Sequence, residues 1–316
     1  MDLPILSTRK KEESSGIPSI PKSSSLWRDA MHRLVHRRSA VVGMVVLGGL
    51  VLVAIFAPLI ATHNPRQVLI GVEDVKRRTP PCVHLLGCPP DQPQHILGVD
   101  GNVRDFFSRM VYGARLSLQI GFATVTFAIV IGTLIGAMAG YLGSWVDNGL
   151  MRLMDVLLAF PALLLAIGIV TVLGPGLINA LLAIGIVTIP VYARVARASV
   201  LSIKEMDFVL ADRAIGVPPL RILFHHIMPN ALTPLIVYGT LGIATAILDA
   251  AALSFLGLGA QPPTPEWGLM LSEERNQVFT SPHLVFFPGF AIMITVLGFN
   301  LLGDGLRDAL DPRLRH

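Results

Sequence analysis

The segment from residue 202 to residue 230 reads SIKEMDFVLADRAIGVPPLRILFHHIMPN and lies as a polar island between two long apolar runs. Ser202 and Glu205 have capping-box spacing, and Ile203, Met206 and Leu210 recur behind them at helical intervals, which predicts a helix starting at Ser202. Gly216 ends that helix, because a residue without a Cβ takes the left-handed conformation that helix termini often need. Pro218 and Pro219 cannot extend the old helix but suit the first turn of a second one, in which Leu220, Leu223 and Ile227 share a side and which Pro229 closes. The expectation is a two-helix knob between membrane spans, with one apolar side for the membrane domain or a partner's groove and one polar side in water. The competing reading is a solvated loop resting on the bilayer surface.

Composition supports the membrane setting. The chain has 316 residues, 53% hydrophobic and 15% charged, with a mean hydropathy of +0.64; soluble proteins carry about 25% charged residues. Several runs approach the roughly 20 apolar residues that cross a bilayer as helix, and none shows the short alternating segments of an outer-membrane barrel. The net charge of +4 reflects Lys and Arg flanking spans and is no argument for nucleic-acid binding.

Six apolar runs follow one another. Residues 1–39 form a cytoplasmic unit: a disordered Ser-, Pro- and Lys-rich tail to Ser25, then an amphipathic helix with Trp27, Met31, Leu34 and Val35 opposite Arg28, Arg33, Arg37 and Arg38. Span one covers 40–60, and residues 61–113 form an extracytoplasmic loop. The five-span core, 114–316, places span two near 116–142, span three near 150–173, span four near 177–195, span five near 231–258 and span six near 284–302. An outer loop at 259–283 carries a short interfacial helix. Basic residues are concentrated before span one, from Arg194 to Arg221 and at the C-terminus, which puts both termini in the cytoplasm. Gly132, Gly136 and Gly140 form a packing stripe on span two, and Arg152 is paired with Asp155 at the start of span three.

Three features bear on function. Asp249 is a carboxylate well inside span five, where charge is costly, so it faces either a substrate path or a structural partner. Cys82 and Cys88 lie in the first outer loop, open to a disulfide, to reduced thiols, or to a metal site with His84 or His95. No Gly-Lys pair exists anywhere, so the chain holds no P-loop for ATP, and no cluster of His and carboxylates suggests a hydrolase. A self-contained secondary transporter is the rival class; Asp249 alone is thin support for an ion pathway.

Several stretches resemble the C-type permease subunit of bacterial dipeptide and oligopeptide ABC importers. In the island, Ala211, Gly216 and Pro229 fit the family's ATPase-docking loop (Glu-Ala-Ala, three residues, Gly, nine residues, Ile-x-Leu-Pro), with Ile227 inside the matched end. Leu210, Asp212, His226 and Met228 depart from it. HILGVDGNVRDFFSRMVYGARLSL at 95–118 is similar except that Val103 stands where the family has Gly. MRLMDVLLAFP at 151–161, AILDAAALSFLGLGAQPPTPEWG from Ala246 and FPGFAIMITVLGFNLLGDGLRDALDPRLRH to the C-terminus are also similar. The resemblance implies an all-α integral membrane protein of type I ABC importer permease fold, with six transmembrane helices and a cytoplasmic coupling loop at 202–230. It also implies a second permease subunit, two ATPase subunits that bind ATP and Mg, an extracytoplasmic binding protein, and a place in the bacterial inner membrane. The subunit itself carries no cofactor, metal or catalytic residue in that reading. The same family contains importers of glutathione, nickel and oligosaccharides.

Overall fold

A computed structural model describes residues 31 and 33–310. The expected tail, most of the amphipathic helix (26–30 and 32) and residues 311–316 lie outside the described residues. Among the described residues the architecture is helical, with only isolated bridges in the first outer loop. Five helices among the described residues are long and apolar enough to cross a membrane, and a sharply bent pair brings the number to six if that pair is one span.

The first span, α1 (Arg38–Ile55), breaks at Phe56, and a four-residue helix α2 (Ala57–Ile60) follows with Pro58 in its first turn, where the missing N–H costs nothing. α3 (Phe106–Leu142) starts well before the expected Leu116: Asp105 caps it by accepting from the Ser108 backbone N–H at 2.8 Å. The glycine stripe on α3 lies against α6 (Leu177–Ile203), where a Cβ at Gly132 would sit 2.8 Å from the Ile189 carbonyl and one at Gly140 3.0 Å from that of Arg197. These glycines let two backbones approach closely, as packing in lipid requires. α1 closes in the same way on α10 (His283–Leu310), through Gly43 beside Leu302 and Gly305 beside Ala40.

Three expectations about the spans need correction. Span three is no single rod: α4 (Ser144–Leu158) and α5 (Ala162–Leu173) meet at a 91° bend. Pro161 explains it, since it has no N–H for the helical ladder and its ring obstructs the preceding turn. Asp155 pairs with Arg194 of α6 at 2.6 Å rather than with Arg152, and Asp147 of α4 takes Arg197 in a two-bond fork at 2.5 and 2.6 Å. Finally, the chain from Pro219 to Phe255 is one 37-residue helix, α8, so the second helix of the knob and span five are continuous.

Candidate functional site

The knob sits at the end of α6. The helix runs through to Ile203, which places Ser202 inside it and removes the expected capping box; the chain then turns at 204–206 and restarts as α7 (Asp207–Ala214). Gly216 ends α7 with φ +82°, and Gly216 and Val217 donate their N–H groups to the carbonyls of Arg213 and Asp212. A Cβ at 216 would meet nothing within 4 Å. Glycine is needed there for its left-handed backbone, not for space.

Pro219 then opens α8, but Pro229 does not close it. Residues Ile222–Ile227 form wide π-type turns, and the helix passes through Pro229 into the membrane. Pro229 cannot donate to the ladder; one residue on, the Asn230 side chain donates to the His226 carbonyl at 2.7 Å. The wide turns also shift the register. Ile222, Leu223 and Ile227 are buried and form a plug with Val209, Ile203 and Val200, while Leu220, assigned to the buried side by spacing, is 69% exposed. Leu210, Ala211 and Gly216 are exposed. Phe208, Leu210, Ile215, Leu220 and Phe224 form an apolar rim open to the outside. Asp212 and His226, two of the positions that depart from the family pattern, contact each other through Oδ2 and Nδ1. One departure compensates the other.

Asp249 lies partly buried on α8, and among the described residues nothing hydrogen-bonds or pairs with it.

A family profile described as "Binding-protein-dependent transport system inner membrane component" matches residues 132–316, more than half of the chain and including the whole knob. The chain belongs to the binding-protein-dependent transport permeases. A second profile, "N-terminal TM domain of oligopeptide transport permease C", matches residues 25–81. The dipeptide transport system permease protein DppC of Alkalihalophilus pseudofirmus is 50% identical over 291 residues, 92% of this chain and 91% of that protein. The di/tripeptide transport system permease protein DppC of Pseudomonas aeruginosa is 44% identical over 303 residues, 95% and 96% of the two chains. The glutathione transport system permease protein GsiD of Pectobacterium atrosepticum is 48% identical over 221 residues, 70% and 73%. An inward-facing structure of the MetNI methionine ABC transporter shares the fold at a TM-score of 0.54 and 19% identity, covering 64% of this chain and 96% of that one. The fold is that of type I ABC importer permeases. As a member of this family the chain is a multi-pass permease subunit that works with a partner permease, an ATPase and a binding protein.

In this permease the opposite end of the molecule holds a polar cap that sequence reasoning missed. Arg78, Arg104 and Arg109 face Asp100, Glu273 and Glu274. Arg104 donates to Asp100 at 2.7 Å and to Glu273 at 2.8 Å, Arg109 to Glu273 at 3.2 Å, and Arg78 to Glu274 at 2.8 Å. Arg109 is fully buried and also donates to the Pro263 carbonyl at 3.1 Å. Burial raises the Glu273 carboxyl above its ordinary range, against the pull of Arg104 and Arg109. These pairs join the first outer loop to α9 (Trp267–Glu274). That helix was expected to be interfacial, but Trp267 is buried and donates its ring N–H to the Met110 carbonyl at 3.1 Å. Val103, where the family has Gly, has φ +58°. It is buried against Leu69 and Val99, so packing offsets a backbone conformation that a β-branched residue disfavours. Cys82 and Cys88 are joined as a disulfide.

Proposed function

We propose that this permease forms half of the translocation pathway of an ATP-driven importer of dipeptides or oligopeptides. A second, different permease forms the other half, two ATPase subunits bind ATP and Mg at the cytoplasmic side, and an extracytoplasmic binding protein delivers the substrate. The knob at 202–230 docks an ATPase, with Leu210, Ala211, Asp212, Gly216, Ile227 and Pro229 as its working positions. Both termini then lie in the cytoplasm, in line with the basic residues near them. The observation that carries this reading is the knob's construction. A buried plug of Val209, Ile222 and Ile227 ties it to two spans, while the apolar rim around Gly216 stays exposed among the described residues. A loop resting on the bilayer would turn that rim to lipid, and ATPase capture separates the two readings.

Ala211→Arg tests the docking. A bulky charge in an apolar contact should lower co-purification of ATPase with the permease at least about tenfold, equivalent to about 1.4 kcal/mol, while leaving the permease pair assembled. Unchanged ATPase capture would return the knob to a surface loop. The peptide assignment draws on the two relatives named for dipeptides and di/tripeptides, each covered over more than 90% of its length. Glutathione is the second reading, on the strength of the 48% identical relative. Competitive uptake with a dipeptide panel and glutathione separates them. Asp249, without a partner among the described residues, is placed by this reading on the path. Asp249→Asn should lower uptake and spare assembly; loss of assembly would assign it a structural role.

A further inference from the structure

The first outer loop brings His63, Glu73 and His95 together. His63 Nε2 lies 3.1 Å from Glu73 Oε1, and His95 Nε2 lies 3.1 Å from Glu73 Oε2. One ligand atom from each residue falls within 4.8 Å of the others. The remaining ring nitrogens already have partners. His95 Nδ1 is 2.8 Å from Asp105 Oδ1, with both side chains fully buried. His63 Nδ1 is 2.9 Å from the Thr62 hydroxyl, which itself donates to Asp105 Oδ2 at 3.3 Å.

A carboxylate only accepts, so a neutral His95 that donates Nδ1–H to Asp105 turns a bare Nε2 toward Glu73. The Thr62 hydroxyl reaches His63 Nδ1, Asp105 and Ser108 with one proton; when it accepts from His63 Nδ1–H, the His63 Nε2 lone pair also faces Glu73. In that tautomer one divalent ion satisfies both Nε2 atoms and the carboxylate, between rings whose centroids are 5.2 Å apart. Without the ion, Thr62 donates to His63 Nδ1 and His63 Nε2–H donates to Glu73. Two neutral imidazoles and a carboxylate are a zinc donor set, and imidazoles fixed on the far nitrogen by a carboxylate or hydroxyl are the usual outer-shell arrangement. Tetrahedral zinc bonds of about 2.0 to 2.1 Å separate neighbouring donor atoms by about 3.3 Å; each ring nitrogen lies 3.1 Å from its own oxygen of Glu73, and one donor atom from each residue lies within 4.8 Å of the others.

We propose that His63 Nε2, His95 Nε2 and the Glu73 carboxylate bind one Zn²⁺ ion, with Asp105 and Thr62 orienting the rings and water in the fourth position. His63 and Glu73 keep 21% and 24% side-chain exposure, and His63 lines an open cleft of about 650 Å³ with Thr62, Pro65, Tyr112 and Pro265, which gives the ion a route in. Bound there, it ties the stretch around residues 62–73 to His95 and, through Asp105, to the first turn of α3. The test uses the purified permease complex without a polyhistidine tag, stripped with EDTA, dialysed and titrated with Zn²⁺. One Zn²⁺ per chain should bind by calorimetry and elemental analysis, thermal stability should rise, and Co²⁺ should give a tetrahedral visible spectrum. His63→Gln and Glu73→Gln, chosen because both positions are partly exposed, should still assemble. Their affinity should fall by more than the roughly 10- to 100-fold typical of a lost outer-shell partner. A wild-type complex that binds no Zn²⁺, or variants that bind it as the wild type does, would overturn the proposal.

Discussion

At the knob, Phe208, Leu210, Ile215, Leu220 and Phe224 stay exposed around a small buried plug, whereas at the outer cap Arg104, Arg109 and Asp100 are buried and pair across the chain. Both regions are polar islands in an apolar sequence. The cap pairs its charges with one another, three arginines against three carboxylates. The knob leaves apolar side chains exposed and is tied by its plug to two spans; in the proposed function an ATPase covers that surface, and a push on it reaches the membrane helices. A self-contained region and one completed by a partner should therefore fail differently when altered.

The largest difference is expected at the cap. Arg109→Leu leaves Glu273 and Asp100 with one fewer buried cation, and breaking a buried ion pair costs about 3 to 5 kcal/mol. The complex should lose thermal stability or fail to assemble, which detergent thermal-shift assays measure. An unchanged transition would mean the network is not what holds the cap. The disulfide comes next. Replacing Cys82 and Cys88 with Ser removes a six-residue link, worth about 2 kcal/mol in the chain-entropy account, and should lower stability without changing ATPase capture. Intact-mass analysis under nonreducing conditions checks the bond itself: two alkylated thiols in native protein would refute it. Knob variants should show the reverse pattern, stability nearly intact and coupling lost.

The sequence exposed local features well. Gly216 and the glycine stripe depend on residues near one another in the chain and appear where spacing put them, and the apolar runs are helical although three of their boundaries or shapes differ. Proline usually ends a helix, which is why spacing makes Pro229 a terminator; the π-type turns that precede it in the continuous helix leave no periodic signal. Pro161, in contrast, lay in plain view inside an apolar run and should have marked the bend. The cap was invisible for another reason. The pairs that tie it to α9 join residues more than 160 positions apart, such as Arg104 with Glu273 and Arg78 with Glu274. The Asp212 and His226 contact spans 14 positions, and became legible only as two departures from one pattern.

The central claim is that the knob transmits force from an ATPase, and Gly216→Val addresses it most directly. Valine at φ +82° disfavours the backbone by on the order of 1 to 2 kcal/mol, too little to unfold a knob anchored by Val209 and Ile227 but enough to shift how α7 meets α8. Uptake and ATP hydrolysis should be measured side by side on the complex reconstituted in liposomes. The account predicts intact assembly with fewer substrate molecules imported per ATP hydrolysed; a variant that assembles with wild-type uptake and wild-type hydrolysis would contradict it.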